Sequence, residues 1–257
     1  CLSDTWGVMP PADRGRLLHR LSVLIKENAD ELADLEALDT GKPMTQARAD
    51  IAACSRYFEF YAGAADKIHG ETIPYLNEYF VTVVREPHGV TGHIIPWNYP
   101  AQMFGRSLAP ALATGNAVVL KPAEEACLSC LRLTELAHEA GFPAGALNVV
   151  TGYGATAGAA LTAHPDIDFV SFTGSPDVGT MVQVASAQHH RPCVLELGGK
   201  SPQIIFSDAD IDAALPVVVA GIVQNGGQTC SAGSRVLIQR DIFDSFTAAL
   251  AERINKL

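Results

Sequence analysis

Ala146-Leu147-Asn148-Val149-Val150-Thr151-Gly152-Tyr153-Gly154-Ala155-Thr156-Ala157-Gly158 passes from a short apolar run into a glycine-spaced turn and then into a helical stretch. The run is short and rich in β-branched residues, which predicts a strand. Glycines let the chain reverse with positive φ at little steric cost. The segment therefore reads as strand, tight turn and helix start, half of a βαβ unit.

Outward in both directions the same alternation repeats. Val90–Ile95, Ala117–Leu120, Phe169–Phe172, Val194–Leu197 and Gln203–Phe206 are further short apolar runs separated by longer helical stretches. This alternation predicts an α/β fold with a Rossmann-like parallel sheet, and loops that carry chemistry should follow the carboxyl ends of its strands. Before it, Leu17, Leu18, Leu21, Leu24, Ile25, Leu32, Leu35 and Leu38 recur at helical spacing from Pro11 to Leu38, with Gly41-Lys42-Pro43 as a stop. A second helix is expected from about Thr45 to Ala65. Ile68 to Pro87 changes character: Tyr79 to Val84 is aromatic and β-branched, and reads as one strand of a hairpin-like excursion.

Composition bounds what such a fold can do. The chain has 257 residues, 48% hydrophobic and 18% charged, which suits a well-cored soluble globular protein of one large domain or two ordinary ones. A formal charge of −10, with Lys and Arg scattered singly, argues against binding nucleic acid or an anionic membrane surface. No apolar run approaches the ~20 residues that cross a bilayer. Cys1-Leu2-Ser3-Asp4 lacks the features of a signal peptide and an initiator methionine, which points to a start inside a longer protein. Cys1, Cys54, Cys127, Cys130, Cys193 and Cys230 are, except for the Cys127 and Cys130 pair, far apart and read as thiols, with a reducing cytoplasm as the expected compartment.

The loops after the strands hold the candidate chemistry. Thr151 to Gly158 approximates the glycine fingerprint for dinucleotides, one residue longer at its last step than the usual pattern, and a simple tight turn explains it equally well. Phe172-Thr173-Gly174-Ser175-Pro176-Asp177-Val178-Gly179 lies in the same context one unit later, where backbone amides at a helix N-terminus can face a phosphate. Two such loops favour a nucleotide site. Lys121 and Glu124 end another strand, and could hold ribose hydroxyls or merely cap a helix. Asn98, in Pro96-Trp97-Asn98-Tyr99-Pro100, offers an amide donor in a rigid turn. Glu196, in Leu195-Glu196-Leu197-Gly198-Gly199-Lys200, is a carboxylate whose expected burial would raise its pKa toward that of a general base. Cys230 stands among small residues, Gly226-Gly227-Gln228-Thr229-Cys230-Ser231-Ala232-Gly233, which leave room for a substrate beside the sulfur, with a helix terminus expected to favour its thiolate. Cys127-Leu128-Ser129-Cys130 falls in an expected helix from Ala126 to Ala140 without a second ligand pair, so we read it as helical filler, with Leu128 and Leu131 in the core and no metal site. His189-His190 reads as a solvated helix end.

Together and in this order, these motifs resemble the aldehyde dehydrogenase superfamily, from about Pro11 to the last residue and most densely from Val90 to Arg235. Leu195 to Lys200 and Gly227 to Cys230 look like its two active-site signatures, with Glu196 and Cys230 separated by 34 residues. The resemblance implies an NAD-binding domain over 1–67 and 88–197, an oligomerisation arm over 68–87, and the first part of an α/β catalytic domain over 198–257, truncated. It implies Cys230 as nucleophile, Asn98 with the Cys230 amide as oxyanion hole, and Glu196 as the base for deacylation. Ile95, Trp97, Lys121, Glu124, Gly154, Gly158, Phe172, Gly174, Ser175, Gly179 and Leu197 would contact the cofactor, NAD or conceivably NADP. Tyr99, Met103 and Arg106 would line the substrate pocket. An aldehyde is the implied substrate, and a second copy of the chain the implied partner, in a homodimer or homotetramer. The family commonly carries a lysine where this chain has Ser107. The chain also ends before a family Glu-x-Phe-Gly-Pro segment, so the fragment itself is expected to be inactive. A silent nucleotide-binding module and a relative that passes the acyl group to coenzyme A are the competing readings; a hydrolytic base at Glu196 speaks against the latter.

Overall fold

The structure, a computed structural model, describes residues 5–257, so the readings of Cys1 to Asp4 fall outside the described residues. In chain order the elements are α1 (Pro11–Glu27), α2 (Ala29–Thr40), α3 (Met44–Ala64), β1 (Glu71–Ile73), β2 (Val81–Val83), β3 (Val90–Ile94), α4 (Pro100–Ala113), β4 (Ala117–Lys121), α5 (Leu128–Ala140) and β5 (Leu147–Val149). There follow α6 (Ala159–Ala163), β6 (Phe169–Gly174), α7 (Pro176–Gln188), β7 (Cys193–Leu197), β8 (Pro202–Ile205), α8 (Ile211–Val223), β9 (Arg235–Ile238) and α9 (Phe243–Ile254). The chain divides into two compact units, one running to Glu196 and the other Leu197–Leu257.

In the first unit a five-stranded sheet has the order β5-β4-β3-β6-β7, with β3 parallel to both β4 and β6. The chain winds outward from β3 on one side and returns to it with β6, so the reversal of direction lies between β3 and β6. In open α/β sheets, ligands bind at the carboxyl ends of the strands beside such a reversal. The sheet is steadied by its helices. Leu18, Leu21 and Ile25 of α1 are fully buried with Ile51 and Phe58 of α3 and Phe104, Leu108 and Leu112 of α4. Each such side chain contributes roughly 1.5–3 kcal/mol when fully buried. Trp6 joins this core against Phe142, its ring centroid 5.5 Å away, and its indole N–H donates to the Asn116 carbonyl at 2.8 Å.

The long first helix expected over Pro11 to Leu38 is in fact two. Asn28, at φ −103° and ψ 22°, breaks it, and its side-chain amide donates to the Leu24 carbonyl at 2.8 Å. A short polar side chain that bonds nearby backbone competes with the helix, which periodicity does not register. The stop at Gly41 holds, since that residue closes α2 with φ 71°. The excursion is a short antiparallel pair, β1 with β2, in which Thr72 faces Thr82. Its flanks leave Tyr75, Tyr79, Phe80 and Val84 exposed. The Cys127–Cys130 stretch also differs from expectation. Cys127 precedes α5 as its N-cap, and Leu128 and Leu131 are exposed, whereas Cys130, Leu133 and Leu136 form the core face. The helical phase is set by the residues three apart from Leu133, not by the leucines nearest the cysteines.

In the second unit β8 and β9 form a parallel pair, packed with α8 and α9 around Ile205, Leu215, Val218 and Phe246. No helix among the described residues is long and apolar enough to cross a membrane.

Candidate active site

The carboxyl ends of β3, β4 and β6 gather most of the candidate residues of the first unit. At the end of β3, the Ile95 amide donates to the Lys121 carbonyl at 3.2 Å, carrying the ladder one residue past the strand. Trp97 is exposed, Asn98 half-buried and Tyr99 buried, and Pro100 opens α4. Proline at the first helical position has its φ already set, so the turn that holds Asn98 passes into the helix with little freedom. Met103 and Arg106 follow on α4, the first buried, the second half-exposed.

Beside it, the end of β4 is tied to the glycine turn. The buried Lys121 ammonium donates to the Glu124 carboxylate at 2.5 Å, and the Gly154 amide donates to the same carboxylate at 3.2 Å. The bond from Lys121, then those from backbone amides, hold Glu124 well below the usual carboxylate range, at about 2. The turn enters its helix differently from expectation. Gly154–Gly158 is a single π-helical stretch, and regular helix starts only at Ala159. Such wide turns recur where a backbone approaches a ligand. Gly158 is buried within it.

At the end of β6, Phe172 is buried and its ring fills the space above Gly174. A Cβ at Gly174 would stand 2.6 Å from that ring, so only glycine fits. Ser175 caps α7, accepting the Val178 amide at 3.4 Å, and Gly179 lies buried one turn into the helix. These loops end adjacent strands.

On the β7 side, a cavity of about 320 Å3 is lined by Met103, Arg106, Ser107, His93, Ser171 and Glu196 among others. Glu196 is not buried as expected. It sits half-exposed on β7, the edge strand, and pairs with Arg106 at 3.4 Å. An edge strand has only one neighbour to cover it, so apolar flanking residues did not imply a buried carboxylate. Deeper in the cavity wall a polar chain went unnoticed in the sequence. Ser107 Oγ lies 2.6 Å from His93 Nδ1 and 3.3 Å from Ser171 Oγ, while His93 Nε2 lies 2.8 Å from Thr91 Oγ1. Burial pushes His93 down to about 4, so the ring is neutral. A histidine and serine alternating along β3 and α4 carry no spacing signal of their own.

Cys230 belongs to the second unit. It follows α8 and a tight 3-10 turn, Gln224–Gly227, in which Asn225 and Gly226 have positive φ. No helix starts at Cys230, so the expected helix terminus is absent; the residue occupies an exposed turn before β9. Gln203 braces that turn, donating to the Val218 and Gly233 carbonyls at 3.2 and 3.0 Å. The Gly-Gly of the upstream signature comes close to it: a Cβ at Gly199 would lie 3.2 Å from the Cys230 carbonyl oxygen. Leu197 leads into that segment, half-buried. The other described thiols are less available. Burial raises Cys54 and Cys130 far above the ordinary range and, with Asp39, raises Cys127. Among the described residues no group of His, Cys, Asp and Glu could hold a metal ion.

Set against known proteins, the chain matches the model of the aldehyde dehydrogenase family over residues 2–257. A hydroxyisobutyraldehyde dehydrogenase of Mycolicibacterium austroafricanum is 48% identical over 249 residues, covering 97% of this chain and 49% of its own. The crystal structure of a Burkholderia cenocepacia protein described as an aldehyde dehydrogenase superposes with TM-score 0.96 at 65% identity, covering 98% of this chain and 53% of that one. The NAD+ complex of an aldehyde dehydrogenase from Bacillus cereus superposes with TM-score 0.97 at 46% identity, covering 99% and 52%. The chain spans about half the length of the curated relatives it matches.

Proposed function

The chain belongs to the aldehyde dehydrogenase family, and from that premise we propose that the full-length protein oxidises an aldehyde to its carboxylic acid with NAD, through a thioester on Cys230. The observation that carries this reading is an exposed cysteine in a braced turn, its backbone against Gly199 of the segment that holds Glu196.

The residues present suit a dinucleotide. An ionised Glu124 beside the buried Lys121 ammonium follows β4, and Gly174, which has no room for a side chain, and the N-terminus of α7 with its Ser175 cap follow β6, with β3 between those two strands. Lys121 and Glu124 would hold the adenosine ribose. Gly174, Ser175 and Gly179 would hold the pyrophosphate, with Gly154 and Gly158 on the adenine side and Ile95, Trp97, Phe172 and Leu197 against the remainder. NADP is a possible second cofactor. When bound, the nicotinamide supplies the acceptor for the hydrogen and electron pair that leave the aldehyde carbon.

The protein's own groups do the rest. Cys230 Sγ bonds to the carbonyl carbon, and the displaced electron pair collects on oxygen, where the Asn98 amide and the Cys230 backbone N–H donate to it. Reforming the carbonyl leaves an acyl thioester on Cys230. Glu196 then takes a proton from water as the new C–O bond forms, and the C–S bond breaks to return the thiolate. Tyr99, Met103 and Arg106 form part of the substrate wall.

The exposed aromatic residues around β1 and β2 support reading the excursion as the contact arm of a homodimer or homotetramer. Five free cysteines among the described residues accord with a reducing compartment, the cytoplasm. The 257 residues alone would not turn over aldehydes, because a two-stranded sheet with open strand edges leaves Ile204, Phe206 and Leu237 exposed. Cys230→Ala in the full-length protein tests the reading. It should abolish NADH formation from propanal and leave NAD binding measurable; retained turnover would remove Cys230 from the mechanism.

A further inference from the structure

Beneath the Asn98 turn lies a charged cluster that the mechanism does not use. Lys42, Glu36 and Asp50 have essentially no exposed side-chain surface. The Lys42 ammonium lies 2.9 Å from a Glu36 oxygen and 2.6 Å from an Asp50 oxygen. Charges so deep persist only when every polar atom is engaged. Here Gln46 donates to Asp50 at 2.7 Å, and Ser129 donates to Glu36 at 2.5 Å. Two further contacts reach the turn itself. The Ala101 amide donates to both Glu36 oxygens, at 3.3 and 3.4 Å, and the Lys42 ammonium sits over the Tyr99 ring, 4.8 Å from its centroid.

Both contacts fall on the residues that follow Asn98. The Ala101 amide is one of the first-turn donors of α4, which lack helical partners, and a carboxylate there also opposes the positive end of the helix dipole. A cation held over the Tyr99 face fixes that ring in turn. Glu36 lies within α2, Lys42 in the link to α3, Asp50 is on α3 and Ser129 on α5, so several core elements converge on the start of one helix.

We propose that Lys42 and Glu36 are positioning residues for the reaction: by fixing Tyr99 and the first turn of α4, they hold the Asn98 amide where it donates to the oxyanion. The inference rests on the reading of Asn98 as that donor. A donor aimed in advance costs no reorganisation when charge develops, so loosening its support should slow the chemical step more than it weakens substrate binding.

A double-mutant cycle in the full-length protein, with saturating NAD and propanal, tests this. Asn98→Ala should lower kcat about 100-fold. Lys42→Met should lower kcat about tenfold with KM for propanal within about threefold, and in the Asn98→Ala background it should cost less than about twofold, because the group it aims is gone. Tyr99→Leu, which removes the ring from under the ammonium, should repeat that pattern. If Lys42→Met does not fold, Glu36→Gln and Tyr99→Leu carry the same cycle. A Lys42→Met or Glu36→Gln loss that adds in full to that of Asn98→Ala, or a folded variant with unchanged kcat, overturns the positioning role alone. An Asn98→Ala enzyme with unchanged kcat overturns the reading of Asn98, and the inference with it.

Discussion

The Arg106 guanidinium lies 3.4 Å from the Glu196 carboxylate and joins α4 to the edge strand β7 in the lining of the cavity. Both side chains are about half exposed, so the pair contributes only ~0–1 kcal/mol to stability. Its consequence is orientation of the carboxylate proposed as the base.

From this pairing follows the first prediction. Arg106→Ala should leave the melting temperature nearly unchanged and lower steady-state kcat several-fold for hexanal and succinate semialdehyde alike, since what Arg106 holds is the base. A loss confined to the acidic aldehyde, measured as kcat/KM for the two substrates, would show instead that Arg106 reads a substrate carboxylate.

Cofactor choice should turn on Glu124. Held at about 2 by Lys121 and backbone amides, its carboxylate is ionised throughout the working range and would repel a 2′-phosphate on the ribose. NAD should therefore give the higher kcat/KM, and Glu124→Gln should narrow the gap by raising NADP use. Equal kcat/KM for both cofactors in the unaltered enzyme would contradict this.

His93 gives the fold a specific acid sensitivity. Its folded pKa, about 4, lies below the ordinary value of 6.5 because burial disfavours the charged ring. The unfolded chain therefore takes up a proton first as pH falls. The stabilisation is complete above about pH 6.5 and is lost as pH drops through the window toward 4, by about 3 kcal/mol at its lower end. Urea unfolding at pH 7 and pH 4 should show that loss shrink in His93→Gln, whose amide can still bond Ser107 and Thr91. An equal pH dependence in the two proteins would mean that His93 is charged or solvated in the fold.

Much of this was legible in the sequence because local rules carried it. The β3, β4 and β6 strands follow from apolar run length, and the turn at Gly152 after β5 and the stop at Gly41 follow from glycine's access to positive φ. What escaped depended on tertiary neighbours. Lys42 looked like punctuation between Gly41 and Pro43, yet its ammonium is buried between carboxylates of two helices. Glu196 looked buried because its neighbours are apolar, but sheet order places its strand at an edge. The phase of α5 was misread from Leu128 and Leu131, since helical periodicity does not say which stripe faces inward.

The most direct test of the account is to find the acyl group. In full-length Glu196→Gln enzyme, deacylation should stall after the first turnover, so hexanal and NAD should give one equivalent of NADH and then almost none. Acid quench and peptide mass spectrometry should then find a hexanoyl thioester on the peptide carrying Cys230. A full NADH burst with no acyl mass on Cys230, or with the acyl group on another cysteine, would contradict the central claim.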